Sequence, residues 1–322
     1  MKPVQKSVSF GGNSRAHARS KRIEKSRKKG IAKGFLFSFL LPLLIIFALF
    51  VFFTLSKESW NGHDKFSLVF RGQNDEVGIT VLDPTTPEMT TMYIPGDTQV
   101  DIAASYGTLR IKNVWQLGIN EKKGGSLLSK TIAKNFLFPV HLWADTDGIN
   151  LSKASFSGLA KFVFLPSKTN ITFGDRLAAS LFVLKLKNIE KNEIDLAKSQ
   201  FLRKDTLNDG EKGYILSGSV SERLTVFFTD NDFADKNLRV ALVDGSESYG
   251  SAQKVGEIIE VFGGKVVSVD KNQPTFDGVC IVKGEDVSLL HKVADVFGCT
   301  VKKTKTSFDL EIDLGNKFSK NF

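Results

Sequence analysis

The sequence contains little cysteine and little proline, and this scarcity excludes several classes of protein. Two cysteines and eight prolines occur among 322 residues, whereas disulfide-stapled miniproteins are rich in cysteine and collagen-like fibres are rich in proline. Hydrophobic residues make up 42% of the chain, which excludes a fully disordered polypeptide. Most of the chain is therefore expected to fold, and the roughly 267 residues after position 55 allow two modest domains.

Acidic residues are scarce at the amino end. Residues 1–33 hold eleven lysines and arginines but only one acid, Glu24, so the rest of the chain carries a formal charge of −1. Because the positive charge lies in a tail and not on a folded face, nucleic acid is not an expected partner. We predict that residues 1–34 form a basic cytoplasmic tail.

An apolar run without charged residues follows the tail. Residues 35–55 would form a helix about 31 Å long, which matches the hydrocarbon thickness of a bilayer. A cleaved signal peptide is the alternative, but the basic region is too long for one, and SKESWNG offers no small-residue cleavage site. The sequence therefore predicts an uncleaved, single-pass transmembrane helix at 35–55, with membrane lipids as partners.

The charges beside this run predict its orientation. RKKGIAKG precedes the run and SKESWNGHD follows it, and lysines and arginines close to a span stay on the cytoplasmic side. The amino end is thus expected in the cytoplasm. The folded regions are expected outside the cytoplasmic membrane.

Three strands are predicted early in the next region, residues 56–220. They lie at 66–70, 77–82 and 89–95, and the acids Asp75 and Asp97 stand at ends of neighbouring strands. Loops at such ends often carry functional residues, and paired carboxylates there could hold a divalent metal such as magnesium. The same two residues also fit ordinary turn acids, because aspartate hydrogen-bonds to the backbone of turns.

The spacing of these elements resembles that of the LytR-CpsA-Psr envelope proteins. The family pattern of Asp, strand, Asp-Pro turn, strand and Ile-Pro-Arg-Asp-Thr resembles DEVGITVLDPTTPEMTTMYIPGDT, which begins at Asp75, and RIKNVWQLG at 110–118 resembles its next helix start. The similarity continues to about Leu159. It implies a single-span protein that transfers phosphate-linked glycopolymers from a polyprenyl carrier to the cell wall. Aspartates would hold a metal and arginines the lipid pyrophosphate.

Several positions depart from that pattern. Gly96 stands where the family has an arginine, and glycine offers neither the charge nor the donors that bind pyrophosphate. Only RGQN separates Phe70 from Asp75, so the longer loop of the family is absent, although Arg71 could supply one cation. Arg176 is alone where the family has clustered arginines. We therefore predict a shortened, non-catalytic relative that binds or scaffolds, with no cofactor.

The alternative is a phosphotransferase that attaches polyprenyl-pyrophosphate-linked glycopolymers to the wall through a rebuilt site. Asp75 and Asp97 would be its catalytic and metal-binding residues, with magnesium as cofactor. Its ligand-binding residues would be Arg71, Lys112 and Arg176. A polyprenyl-linked glycan and other envelope proteins are the further candidate partners of either protein.

From Leu238 the pattern runs strand, helix, strand, strand, helix, strand and a final strand. It predicts a second α/β domain at 238–315, which resembles the LytR carboxyl-terminal domain in ALVDGSESYGSAQKVGEIIEVFGGKVVSV and in the closing DLEIDLG. Helical spacing assigns ten residues to its core: Ala252, Val255, Ile258, Ile259, Phe262, Val287, Leu290, Val293, Ala294 and Phe297. The predicted fold class is thus α/β, with one transmembrane helix and two domains with mixed sheets.

The remaining segments are a linker at 221–237, whose acids are expected to be solvated, and a tail at 316–322. Cys280 lies inside an apolar strand and Cys299 at the start of another, which fits two buried thiols as well as a disulfide. We favour thiols, because a sequence cannot place the two strands side by side.

Overall fold

The structure is a computed structural model of the chain. It describes residues 42–48, 51, 60–218, 222–246, 250–272 and 277–322. The chain divides into two compact units, Met1–Glu58 and Ser59–Phe322. In the first unit residues 42–48 are helical, while the basic tail and most of the predicted transmembrane helix at 35–55 lie outside the described residues. Within the ranges just given, no helix is both long enough and apolar enough to cross a membrane.

The amino-terminal part of the second unit contains nine strands. They are β1 (Phe66–Arg71), β2 (Val77–Asp83), β3 (Glu88–Ile94), β4 (Gln99–Asp101), β5 (Thr108–Arg110), β6 (Leu142–Ala144), β7 (Lys191–Asp195), β8 (Leu202–Thr206) and β9 (Lys212–Leu216). Five of them form a mixed sheet in the order β6-β1-β2-β3-β7, in which β1, β2 and β3 are antiparallel and the two edge strands pair in parallel. The strands β4 and β5 form one antiparallel pair and β8 and β9 another. The three strands predicted first are confirmed.

Helices cover both faces of this sheet. They are α1 (Val114–Asn120), α2 (Ser126–Phe136), α3 (Gly148–Ser152), α4 (Phe156–Phe164) and α5 (Phe173–Lys185), with short 3-10 turns at Ala103–Ser105, Ile111–Asn113, Asn188–Glu190 and Leu196–Lys198. Ile79 of β2 packs into the core that contains Ile132 of α2, whereas Leu82 packs into a second core with Phe162 of α4. Because both faces are buried, β2 is apolar almost throughout.

The carboxyl-terminal part is built on a second mixed sheet. Its elements are α6 (Glu222–Thr225), α7 (Asn231–Asp235), β10 (Arg239–Asp244), α8 (Ser251–Phe262), β11 (Lys265–Lys271), β12 (Cys280–Gly284), α9 (Val287–Phe297), β13 (Thr300–Lys303), β14 (Leu310–Leu314) and a 3-10 turn at Phe318–Lys320. The strands lie in the order β11-β10-β14-β12-β13. The predicted succession of elements and the α/β class with mixed sheets are confirmed. Eight of the ten predicted core residues are buried, but Phe262 is only partly buried and Val287 is exposed, at 39%.

The preference for free thiols is wrong, because the structure joins Cys280 and Cys299 in a disulfide. The helix α9 returns the chain so that β13 runs parallel to β12, with Ile281 opposite Thr300. The residue before each of these partners is a cysteine, and the two Cα atoms lie 4.7 Å apart. Parallel pairing thus places the thiols together, which the sequence alone does not reveal.

The acids of the 221–237 segment are not all solvated, which corrects the expectation for it. The ammonium group of Lys292 on α9 lies 2.9 Å from carboxylate oxygens of both Asp230 and Asp232, and 2.6 Å from Asp64 near β1. Burial alone would lower the pKa of Lys292, but hydrogen bonds to the three carboxylates outweigh burial and raise it. Through Lys292, α9 of the carboxyl-terminal part thus contacts Asp64 of the amino-terminal part within the unit Ser59–Phe322. The domain boundaries at 220 and 238 stay a prediction.

Candidate functional site

Asp75 and Asp97 lie at the same edge of the first sheet. The strands β2 and β3 pair with Val77 opposite Ile94, so the turn before β2 and the loop after β3 are neighbours. The turn is closed by a hydrogen bond of 2.8 Å from the amide of Gly72 to the carbonyl of Glu76. Asp75 adopts a φ of 65° in it, a left-handed conformation that aspartate tolerates better than most residues.

The turn fills the space beside Gly96. A Cβ atom at position 96 would lie 2.2 Å from the carbonyl oxygen of Asp75 and 3.1 Å from its Cβ. The short turn therefore occupies the space that any side chain at position 96 would need. The two departures from the family pattern, the short loop and the missing arginine, are sterically linked.

Two cations hold the carboxylate of Asp97. Arg110 donates from Nη1 to Oδ1 of Asp97 at 2.7 Å, and the ammonium of Lys112 lies 2.8 Å from the same oxygen. These hydrogen bonds, first from Lys112 and then from Arg110, lower the pKa of Asp97. The backbone fixes the arrangement, because the amide of Lys112 donates to the carbonyl of Gly96 at 3.1 Å.

Arg110 also pairs with a second acid, Asp209. Its Nε and Nη2 donate to the two oxygens of Asp209 at 2.8 and 3.0 Å, in the bidentate geometry that favours arginine. Asp209 lies in the turn between β8 and β9, which is held against β4 by a hydrogen bond from the amide of Asn208 to Gln99. The pKa of Arg110 is raised and that of Asp209 is lowered by their hydrogen bonds.

We call Asp97, Arg110, Lys112 and Asp209 the ion-pair cluster. Two acids and two bases make it neutral, and all three guanidinium nitrogens of Arg110 are engaged. A magnesium ion approaching Asp97 would meet two positive charges, so these residues do not fit a metal at this carboxylate. Across the part of the chain that the structure describes, no group of three or more histidine, cysteine, aspartate or glutamate residues could hold a metal ion.

The two remaining candidate cations do not join the cluster. Arg71 ends β1 with an exposed side chain, and that side chain makes no hydrogen bond or ion pair with other described residues. Arg176 lies on α5, and its Nη1 donates to the carbonyl oxygens of Phe162 and Leu165, each at 3.3 Å. Burial lowers its pKa. Among the five predicted site residues, the structure thus brings together only Lys112 and Asp97 as a cation and an acid in contact. Asp75, Arg71 and Arg176 do not join them.

Sequence reasoning missed two members of the ion-pair cluster. Arg110 opens the segment RIKN that supported the family resemblance, so a signal for its importance was present. Asp209 offered none, because it lies 99 residues from Arg110 in sequence and stands in an ordinary turn sequence, NDG.

Comparison with known proteins gives only distant structural matches. No protein-family model matches the chain, and no curated protein matches it. A crystal structure of B. subtilis TagT overlaps with 51% of this chain and 89% of its own, at 15% identity and a TM-score of 0.37. The structure of B. subtilis TagV overlaps with 48% of this chain over 92% of its own length, at 12% identity and a TM-score of 0.35. The structure of Lin1025 from Listeria innocua overlaps with 51% of this chain over 95% of its own length, at 14% identity and a TM-score of 0.35. TagT and TagV are LytR-CpsA-Psr proteins, but overlaps this low carry no argument about the site.

Proposed function

We propose that this chain is a membrane-anchored, extracytoplasmic protein of the bacterial cell envelope that binds or scaffolds without transferring glycopolymers. The sequence between Asp75 and Gly118 supports the envelope role through its resemblance to the LytR-CpsA-Psr pattern. The observation that carries the non-catalytic part is the ion-pair cluster. The carboxylate that a metal would need is already neutralised by Arg110 and Lys112.

The same cluster argues against pyrophosphate binding. Phosphoryl transfer depends on several cations and a metal that converge on the phosphate oxygens. Here Arg110 is shared between Asp97 and Asp209, so a pyrophosphate would have to displace carboxylates from it. The space at Gly96, where the family pattern has another arginine, is taken by the backbone of Asp75.

Two features support the location outside the cytoplasm. The lysines and arginines precede the apolar run at 35–55, which favours a cytoplasmic amino end. The pair Cys280–Cys299 is a disulfide, and disulfides persist mainly in oxidising compartments outside the cytoplasm.

The test of the non-catalytic proposal uses the full chain in detergent with magnesium, a polyprenyl-pyrophosphate-linked glycan and a wall acceptor. We expect no transfer above a protein-free control, while a competent LytR-CpsA-Psr enzyme in the same assay gives product. Transfer by the unmodified protein that is lost in Asp97→Ala would overturn the proposal. Asp101→Ala is the matched control, because Asp101 is also partly exposed and pairs with a lysine, Lys134, away from the cluster.

The location is tested separately by adding protease to intact spheroplasts. We expect digestion of the chain after residue 55 and protection of the first thirty-odd residues. Digestion of the basic tail together with protection of the folded region would reverse the orientation. Release of the protein from membranes by alkaline carbonate would contradict the proposed membrane anchor.

A further inference from the structure

The helices α4 and α5 present apolar side chains to solvent. Their inner faces pack on the first sheet through residues such as Phe162 and Val183, and Phe164 of α4 contacts the ring of Phe173 at the start of α5. Large apolar residues at 46–86% exposure lie on these two helices and directly after them: Phe156 and Phe164 on α4, Leu165 at its end, Leu181 and Leu184 on α5, and Ile189 in the 3-10 turn Asn188–Glu190. We call these six residues the outer helix face.

Unpaired lysines lie on and beside the elements that carry the outer helix face. Residues 148–190 contain six basic residues and two acids. Both carboxylates are engaged in caps: Asp175 caps α5 with Thr172, and Glu190 accepts from the amide of Lys187. Five of the bases are exposed lysines without an ion pair to any residue that the structure describes: Lys153, Lys161, Lys168, Lys185 and Lys187. The folded region as a whole is close to neutral, so this concentration of free positive charge is local.

The helix α5 contacts Trp60, a residue that follows the apolar run closely in sequence. The ring of Trp60 packs 5.6 Å from that of Phe182 on α5, and the amide of Trp60 donates to Asp175. Only five residue steps separate Trp60 from Leu55, where the apolar run ends. Fully extended, they span at most about 18 Å.

We infer that the outer helix face docks on the surface of an anionic lipid bilayer. This inference rests on the membrane anchor of the proposed function, because the short tether from residue 55 keeps α5 near the bilayer. Amphipathic helices bury their apolar side chains in the boundary between headgroups and acyl chains, and lysines beside them attract anionic headgroups. A second copy of this chain fits less well, because two lysine-rich faces would repel each other.

The experiment places a tryptophan in the outer helix face of the full chain, one copy per nanodisc. Phe164→Trp is compared with Val226→Trp, since Val226 is also an exposed apolar residue, at 57% against 70%, but lies outside the outer helix face. Quenching by lipids brominated near the glycerol is measured in phosphatidylglycerol and in phosphatidylcholine discs, and the signal of the parent protein is subtracted. We expect quenching of Phe164→Trp by roughly half in phosphatidylglycerol, because interfacial helices lie within reach of such bromines.

The charge contribution is tested with two further variants. Lys161→Glu combined with Lys185→Glu should reduce the quenching of Phe164→Trp at least twofold, roughly, because each lysine adds to the attraction. Lys254→Glu, on α8, should leave it unchanged. Raised salt should act in the same direction as the double substitution.

Several outcomes would overturn the inference. Equal quenching at positions 164 and 226, or none at 164 in phosphatidylglycerol, would show that the outer helix face does not touch lipid. A change in Phe164→Trp emission that requires two copies per disc would assign the surface to a second copy. Extraction of the full chain from membranes by carbonate would instead contradict the membrane anchor. That result would refute the proposed function, and it is measured separately from the quenching.

Discussion

Replacement of Gly96 tests the steric link between the short turn and the missing arginine. In Gly96→Ala a single methyl group would lie 2.2 Å from the carbonyl oxygen of Asp75 and 2.8 Å from its carbonyl carbon. These are backbone atoms of a hydrogen-bonded turn, so they cannot rotate away as the end of a side chain can. Gly96 has no left-handed φ, so the contact with the turn is the whole obstacle.

The expected size of the effect follows from this contact. Added carbon atoms in a packed region that cannot relax cost about 1–3 kcal/mol. For a folded unit of more than 150 residues this corresponds to a midpoint of thermal unfolding lower by about 2–12 °C. Gly96→Arg should fall at least as far, and it should not gain pyrophosphate binding, because its side chain starts from the same blocked position.

Gly256→Ala is the matched control. Gly256 lies inside α8, and a Cβ there would meet Leu242 and Val266 at 3.5 and 3.6 Å, which are ordinary contacts. Alanine is favoured over glycine in a helix by about 1 kcal/mol, so this variant should be more stable than the parent. The midpoints are measured by tryptophan fluorescence of the full chain in detergent, at one scan rate. A Gly96→Ala midpoint at or above that of the parent would refute the packing of the turn against position 96.

Three further predictions concern stability. Replacing Cys280 and Cys299 together by alanine removes a crosslink across a sequence separation of 19 and should lower the free energy of unfolding in urea by about 3 kcal/mol; an unchanged midpoint would contradict the disulfide. Lys292→Met leaves three carboxylates without their cation and should lower the free energy of unfolding by about 3 kcal/mol. Lys254→Met, which breaks an exposed ion pair, should lower it by under about 1 kcal/mol in the same assay. The pKa of Asp97 is lowered in the folded state, so the contribution of its carboxylate to stability is present above about pH 4 and lost as the pH falls through the lowered value. The midpoint of thermal unfolding should therefore differ between the parent and Asp97→Asn at pH 7, and this difference should disappear at lower pH. A difference that is the same at both pH values would disprove the ion pairing.

Local signals in the sequence determined most of the secondary structure. The strands β1, β2 and β3 follow one another through short turns, so apolar runs and turn residues suffice to predict them. From β10 to β14 the same holds for the five strands and two helices, and for eight of the ten core positions. The prediction that Val287 is buried is wrong because Val287 is the first residue of α9. At a helix end the helical repeat does not indicate which neighbours cover the side chain. The basic tail and the apolar run at 35–55 are likewise properties of the sequence, since charge and hydropathy can be read without a fold.

Tertiary structure alone decided which distant residues meet. Asp209 reaches Arg110 across 99 positions because the β8–β9 hairpin packs against β4, and Asp230 reaches Lys292 across 62 positions because α9 lies beside the 221–237 segment. The Cys280–Cys299 disulfide required the parallel pairing of β12 and β13. Local propensity contains no information on such pairings, since they depend on the order of strands in a sheet and on how helices pack over it. For the same reason the sequence could name Asp97 as a candidate ligand, whereas only the packed loops show that Arg110 and Lys112 already neutralise it.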